Sequence, residues 1–245
     1  MKIIIAINEK KFSEIMKKID LARKFLPVKS WIQLDVADGK FTKWKTWNRP
    51  EELKDLRLKT YDLKLNIEVH LMVKEPERVI KRWAEIGAKR IIFHIEAVQS
   101  LATINSRKRF MGIKSIKTIK ELGIMNEIKN RRSGSVKIGL AINPRTPVKK
   151  LAPYLSEGIK FVQILAVNPG KSGQKFDKRV LRKIEFLKKN YPRVKIEVDG
   201  GINLETAKMC KKAGADILVK FTRIFTRQKT EIYGGNGECY PPGYY

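Results

Sequence analysis

Short apolar runs rich in β-branched residues alternate along the chain with segments whose apolar residues recur every three or four positions. Residues 2–7 (KIIIAI) predict a first strand, and FSEIMKKIDLARKFL predicts a helix after it. WIQLDV at 31–36 is a second strand, followed by RPEELKDL, where Pro50 suits the first turn of a helix. LNIEVHLMV (65–73) and RIIFHIEA (90–97) predict the third and fourth strands, separated by a helix over EPERVIKRWAEIG. A basic, poorly patterned stretch from Gln99 to Phe110 leads into a helix expected over 112–130. Strands are then expected at 136–142, 159–167, 194–199 and 215–219, with helices over TPVKKLAPYL, DKRVLRKIEFLKKN and LETAKMCKKAG between them. Eight strands alternating with helices imply a parallel sheet covered on its outside. Eight such units in a 245-residue chain favour a closed (β/α)8 TIM barrel over an open sheet. The expected domain is residues 1–219. No G-x-G-x-x-G or G-x-x-x-x-G-K-[ST] motif follows a strand, which argues against dinucleotide or P-loop chemistry.

In such barrels the site lies at the C-terminal ends of the strands. Polar residues gather there: Asp35, His70, His94 with Glu96, Asn143, Asn168 and Asp199. Side chains alternate along a strand, so Gln33 and Asp35 share a face and point inward if helices cover the outside. Each residue also fits a bland role. An Asp at a strand end caps the next turn, a lone histidine is a satisfied core residue, and Asn-Pro marks a turn. Their shared place at one end of successive strands favours a site. Asp35 and Asp199 would face each other across the mouth, a geometry for taking a proton from one face of a carbon and returning it to the other.

LDVADGKF, VHLMV, FHIEA, AINPRTP, VNPGKSGQKF, IEVDGGINLETA and GADILV, in that order, resemble the signatures of the ribulose-phosphate 3-epimerases. The resemblance covers residues 30–219 and implies a barrel of the ribulose-phosphate-binding type. It implies interconversion of D-ribulose 5-phosphate and D-xylulose 5-phosphate through an enediolate, with Asp35 and Asp199 as the acid–base pair. It also implies a divalent metal ion (Zn, Fe, Mn or Mg) held by Asp35, His70 and Asp199. A phosphorylated ketose would be bound by Asn8, His70 and the glycine turns at Gly170, Gly173, Gly200 and Gly201, which allow close approach to an anion.

The chain departs from that pattern at several points. Gln33 stands where the family has its first metal histidine, and an amide oxygen is a weaker ligand for Zn or Fe, which shifts the expectation toward Mn or Mg. Asn8 replaces a serine, Ala37 and Leu165 replace methionines that pack over the sugar, Lys43-Trp44 replaces Pro-Asn, and Lys171-Ser172 replaces Phe-Gly. These changes leave open another sugar phosphate, such as a hexulose 6-phosphate, or a barrel that binds without turnover. From Lys220 onward, KFTRIFTRQKTEIYGGNGECYPPGYY has no helical period, where the family has a phosphate-binding Gly-Ser and a final helix. The expectation is an atypical tail over 220–245, disordered or out of frame, with the final helix missing or replaced. Read one base later, residues 235–243 can encode an acidic, apolar-patterned stretch.

A net charge of +28 raises nucleic-acid binding as an alternative. The lysines and arginines are spread over nearly every helix rather than gathered on one arm, which argues against a specific nucleic-acid partner and suits an anionic substrate. Two cysteines, Cys210 and Cys239, make no disulfide framework. No apolar run approaches a membrane span, and the N-terminus lacks a signal peptide's pattern. The expectation is a cytoplasmic enzyme, with a homo-oligomer compatible with the family.

Overall fold

The expected strands form because their β-branched residues fill two apolar faces at once, one turned to the barrel axis and one to the helices. A computed structural model describes residues 1–54, 65–98, 127–130, 134–171 and 173–220. Strands β1 (Lys2–Ile7), β2 (Trp31–Ala37), β3 (Asn66–Met72), β4 (Arg90–His94), β6 (Gly134–Ile142), β7 (Phe161–Leu165), β8 (Lys195–Asp199) and β9 (Ile217–Lys220) pair in parallel. The ring closes where β1 meets β9 and β4 meets β6. This is a (β/α)8 TIM barrel, as the alternation predicts. Lys220 is the last residue of β9 and pairs with Ile5.

Helices α1 (Phe12–Phe25), α2 (Pro50–Lys54), α3 (Glu77–Glu85), α4 (Ala152–Ser156), α5 (Leu181–Asn190) and α6 (Leu204–Ala213) connect the strands. In α1, Ile15, Ile19 and Ala22 recur at helical spacing and are buried. Helix α6 is framed by a capping box between Asn203 and Thr206 and ends at Gly214 in the left-handed conformation, φ 104°. Strand alternation sorts the interior. Val162 and Ile164 of β7 face the helices in the larger core, whereas Phe161 and Leu165 join Ile4, Ala6, Ile92, Ala141, Ile217 and Val219 inside the barrel.

The inner positions nearer the strands' N-terminal ends are charged. Arg90 pairs with Glu68, and its guanidinium lies 3.7 Å from Glu197 Oε2. It is stacked between the rings of Trp31 and Phe161, at 4.3 and 3.8 Å. This plug closes the barrel's floor.

Some boundaries differ from expectation. Residues 127–130 are not helical. They form β5 (Glu127–Asn130), antiparallel to β6 with Ile128 opposite Val136. Glu and Lys favour a helix locally, but the free edge of β6 supplies a partner that overrides propensity. β4 ends at His94, and residues 95–98 are helical, so Glu96 sits beyond the strand. The helix expected over TPVKKLAPYL begins as a 3₁₀ turn, Val148–Leu151, before α4. The stretch from Gln99 to Phe110, the rest of the helix expected over 112–130, Ser172, Cys239 and the tail from 221 lie outside the described residues.

Candidate active site

Inward alternation at the C-terminal ends of β2, β3 and β8 brings Asp35, His70 and Asp199 together. Asp35 and His70 are register partners on adjacent strands. Asp199 is paired with Leu165 and Val219 on the far side of β1 and β9. One ligand atom from each of the three lies within 4.8 Å of the others. His70 is 1% exposed, while the two carboxylates are 11% and 14% exposed, so the acids face the open mouth above a buried imidazole.

Gln33 sits beneath and between the acids. Its Nε2 donates to Asp35 Oδ1 at 2.8 Å and to Asp199 Oδ2 at 2.9 Å. Its Oε1 accepts from Gln163 Nε2 at 2.8 Å, and Gln163 also donates to Glu197 Oε1 at 2.9 Å. Asn8 Nδ2 donates to Asp35 Oδ2 at 3.3 Å. The end of β2 is pinned by Thr46, whose hydroxyl donates to the Asp35 carbonyl and accepts from the Ala37 amide. Asp38 accepts three backbone amides, from Lys40, Phe41 and Lys74, and so shapes the loop rather than the chemistry.

His70 Nδ1 lies 3.3 Å from Asp35 Oδ1 and 3.6 Å from Asp199 Oδ2. Its Nε2 meets Nε2 of His94 at 2.9 Å. Burial pushes Asp199 up to about 7, and the negative charge of Asp35 adds to the rise. Burial pulls His70 down, but the hydrogen bond and charge of Asp35, with the charges of Asp199 and Glu68, outweigh it and leave its pKa raised. Burial lowers His94 to about 4, against the opposing bond from Glu96.

Gly200 and Gly201 follow Asp199 directly, at φ 100° and 66°. A Cβ on Gly200 would stand 2.3 Å from Val167 Cγ2, and one on Gly201 would meet the Phe176 backbone at 2.8 Å. No side chain fits that turn. Gly170 packs on Trp44 and Thr42, joining the loops after β7 and β2, whereas Gly173 faces open space. A cavity of about 510 Å³ beside Asn8 is lined by Lys10, Lys11 and Lys45, by Glu9 and Glu14, and by Trp44 and Gly170. Three lysines against two glutamates leave its rim a small positive excess.

The expected residues Asp35, His70, Asp199, Gln33 and Asn8 therefore meet in one cluster, with Gly200 and Gly201 at its edge. Gln163 was not foreseen from the sequence. Its signal is a lone amide inside the apolar run FVQILAV, at a position that alternation turns inward.

The sequence model described as the ribulose-phosphate 3 epimerase family matches residues 3–225. A ribulose-phosphate 3-epimerase of Schizosaccharomyces pombe is 33% identical over 220 residues, covering 90% of this chain and 85% of the relative. One from Bacillus subtilis is 35% identical over 199 residues, covering 79% of each. One from rice, named as a cytoplasmic isoform, is 31% identical over 197 residues, covering 80% of this chain and 75% of the relative. Among solved structures, the phospho-2-dehydro-3-deoxyheptonate aldolase of Thermotoga maritima superposes with a TM-score of 0.55 at 9% identity. That match covers 89% of this chain and 59% of the aldolase. The thiamine phosphate pyrophosphorylase of Pyrococcus furiosus reaches 0.50 at 12% identity, covering 93% and 88%. These two likenesses speak to the barrel alone.

Proposed function

Because the chain belongs to the ribulose-phosphate 3-epimerase family, we propose that it interconverts D-ribulose 5-phosphate and D-xylulose 5-phosphate, with Asp35 and Asp199 moving the proton at carbon 3. The observation that carries this reading is the pair of carboxylates at the mouth, held by one amide at 2.8 and 2.9 Å. A substrate carbon held between them would have one acid toward each face. In the metal-free site burial and the charge of Asp35 push Asp199 up to about 7, so it readily takes up and gives a proton near neutrality, which suits the donor. Asp35, fixed by Gln33, Asn8 and the Thr46-pinned strand end, is the acceptor. Loss of the carbon-3 proton to Asp35 gives an enediolate intermediate, which Asp199 reprotonates from the opposite face to give the epimer.

The donor set fits a divalent ion, since two carboxylates and an imidazole converge. Asp35, His70 and Asp199 would hold it, and Gln33 would be a weak fourth ligand if its amide turned its oxygen toward them. When bound, the ion supplies Lewis-acid stabilisation of charge on the substrate oxygens. An oxygen-rich set suits Mn or Mg better than a set with two imidazoles does. The phosphorylated end of the ketose would lie against the glycine turns, within the field of the surrounding lysines.

The location and the tail belong to the same reading. Among the described residues no helix is long and apolar enough to cross a membrane, and a cytoplasmic placement fits the rice relative's name. The expected tail over 220–245, whose first residue completes β9, is read as atypical from residue 221 onward, to be checked by sequencing the coding DNA.

The direct test is incubation of metal-loaded protein with D-ribulose 5-phosphate in heavy water, followed by NMR. Deuterium at carbon 3 together with xylulose 5-phosphate, both lost in Asp35→Asn and Asp199→Asn, is the expected result. Exchange without epimer would mean that one acid is misplaced. Folded protein giving neither would overturn the reading in favour of another sugar phosphate or a binding barrel.

A further inference from the structure

Behind the metal-facing imidazole stands a second histidine with its own carboxylate. His70 turns Nδ1 toward Asp35 and Asp199 and turns Nε2 to Nε2 of His94, 2.9 Å away. His94 is fully buried, and its other nitrogen, Nδ1, faces Glu96 Oε2 at 3.4 Å. Both of those atoms are shielded from solvent, and their contact is an electrostatic one without regular hydrogen-bond geometry. The second oxygen of Glu96 is committed, because Oε1 accepts the backbone amide of Asn143 at 2.9 Å. The loop carrying that amide is braced in turn by Lys183, whose Nζ donates to the carbonyls of Asn143 and Thr146 at 2.7 Å each.

A neutral imidazole has one N–H and one lone pair, and each contact forces the next. A carboxylate only accepts, so His94 must place its proton on Nδ1. Its Nε2 is then an acceptor, and the short contact requires His70 to donate from Nε2. His70 can then ligate a cation only through Nδ1, the nitrogen that faces the two carboxylates; without the ion that nitrogen is hydrogen-bonded to Asp35, and a bound ion takes the place of its proton.

We propose that Glu96 and His94 are positioning residues that hold His70 in its metal-ligating tautomer. The role matches the general behaviour of ligating histidines, whose distal N–H is oriented by a partner beyond the ligand set. Here the partner is another imidazole, with the carboxylate one step further back. The inference rests on the metal role given to His70 above.

The chain can be reversed by an isosteric change. In Glu96→Gln, the amide oxygen has to face the Asn143 N–H, so the NH2 is turned toward His94 Nδ1. His94 then becomes an acceptor at Nδ1 and a donor at Nε2. His70 has to accept at Nε2 and carries its proton on Nδ1, where the ion would sit. Glu96→Ala removes the control without imposing the opposite state.

The experiment is ¹⁵N NMR of the histidine ring nitrogens with Zn²⁺ as a diamagnetic probe, together with Zn²⁺ affinity by chelator competition. The wild type is expected to show protonated Nδ1 on His94 and protonated Nε2 on His70. Glu96→Gln is expected to move the His94 proton to Nε2 and to weaken Zn²⁺ binding about 10–100-fold, with Glu96→Ala falling between. A wild-type His94 protonated on Nε2 would overturn the inference, and that observation needs no variant to fold. So would Glu96→Gln that binds Zn²⁺ as tightly as wild type. Wild-type protein that binds no Zn²⁺ would instead sink the metal role of His70, on which the inference depends.

Discussion

At the closed end of the barrel Glu68 and Glu197 share Arg90. At the open end Asp35 and Asp199 share His70 and the Gln33 amide. Each layer places two carboxylates on inward strand positions, with Gln163 and Gln33 linking one layer to the other. The floor carries its cation in the sequence, sandwiched between Trp31 and Phe161. Among the described residues the mouth has no permanent cation bonded to its acids, which are left to be balanced by a proton, an ion or a substrate. Similar carboxylate pairs thus make a structural plug in one layer and a reactive site in the other. Even the floor is under-compensated. Glu197 is pushed well up by burial and by the charge of Glu68, against the pull of Arg90.

The contrast is broken most sharply at the mouth. Asp35→Asn or Asp199→Asn should lower epimerase turnover about 10³-fold, the scale of a lost general acid or base, while leaving the melting temperature within a few degrees. A coupled assay beside thermal melts checks this. At the floor the balance is reversed. Arg90→Met strands two buried carboxylates and should cost about 3–5 kcal/mol of stability by urea unfolding, and adding Glu68→Gln should recover part of the loss. If Arg90→Met were as stable as wild type, the floor would not depend on its built-in cation.

A smaller effect sharpens what the mouth lacks. Gln33→His supplies an imidazole in place of the amide and should tighten Zn²⁺ binding about tenfold, the low end of changes around a ligand set. Isothermal titration reads this directly. The smallest effect concerns protons. Asp199 has a folded-state pKa raised to about 7, against about 3.9 unfolded. Its neutral form therefore stabilises the metal-free fold at low pH, and that contribution is lost as pH rises through about 7. Stability of chelator-treated protein should fall across this window, and Asp199→Asn should flatten part of the slope. An unchanged slope would assign the effect to other buried acids.

The eight barrel strands were legible because each is a short run rich in β-branched and other apolar residues, and Asp35, His70 and Asp199 because they stand toward the C-terminal ends of such runs. β5 was not legible. Glu127 to Asn130 carry no strand pattern of their own, and their conformation comes from hydrogen bonds to β6. The floor was hidden for a related reason. Glu68, Arg90 and Glu197 sit on three separate strands, and only the register Glu68↔Arg90 and the closure of the ring bring them to one point. Gln33 was read as a poor substitute for a ligand. Its donation to both acids, with Gln163 behind it, appears only once the amide has partners.

The pairing of β1 with β9 has a consequence for how the molecule is made. Lys2 and Ile217 are register neighbours, so of the barrel strands β1 is made first and has no partner on one side until β9 follows it. At about 5–20 residues per second that wait is about 10–40 s. Throughout it, β1 presents an unsatisfied edge of consecutive isoleucines. The newborn chain is therefore most open to wrong partners just before it becomes a closed ring with no free edge at that seam.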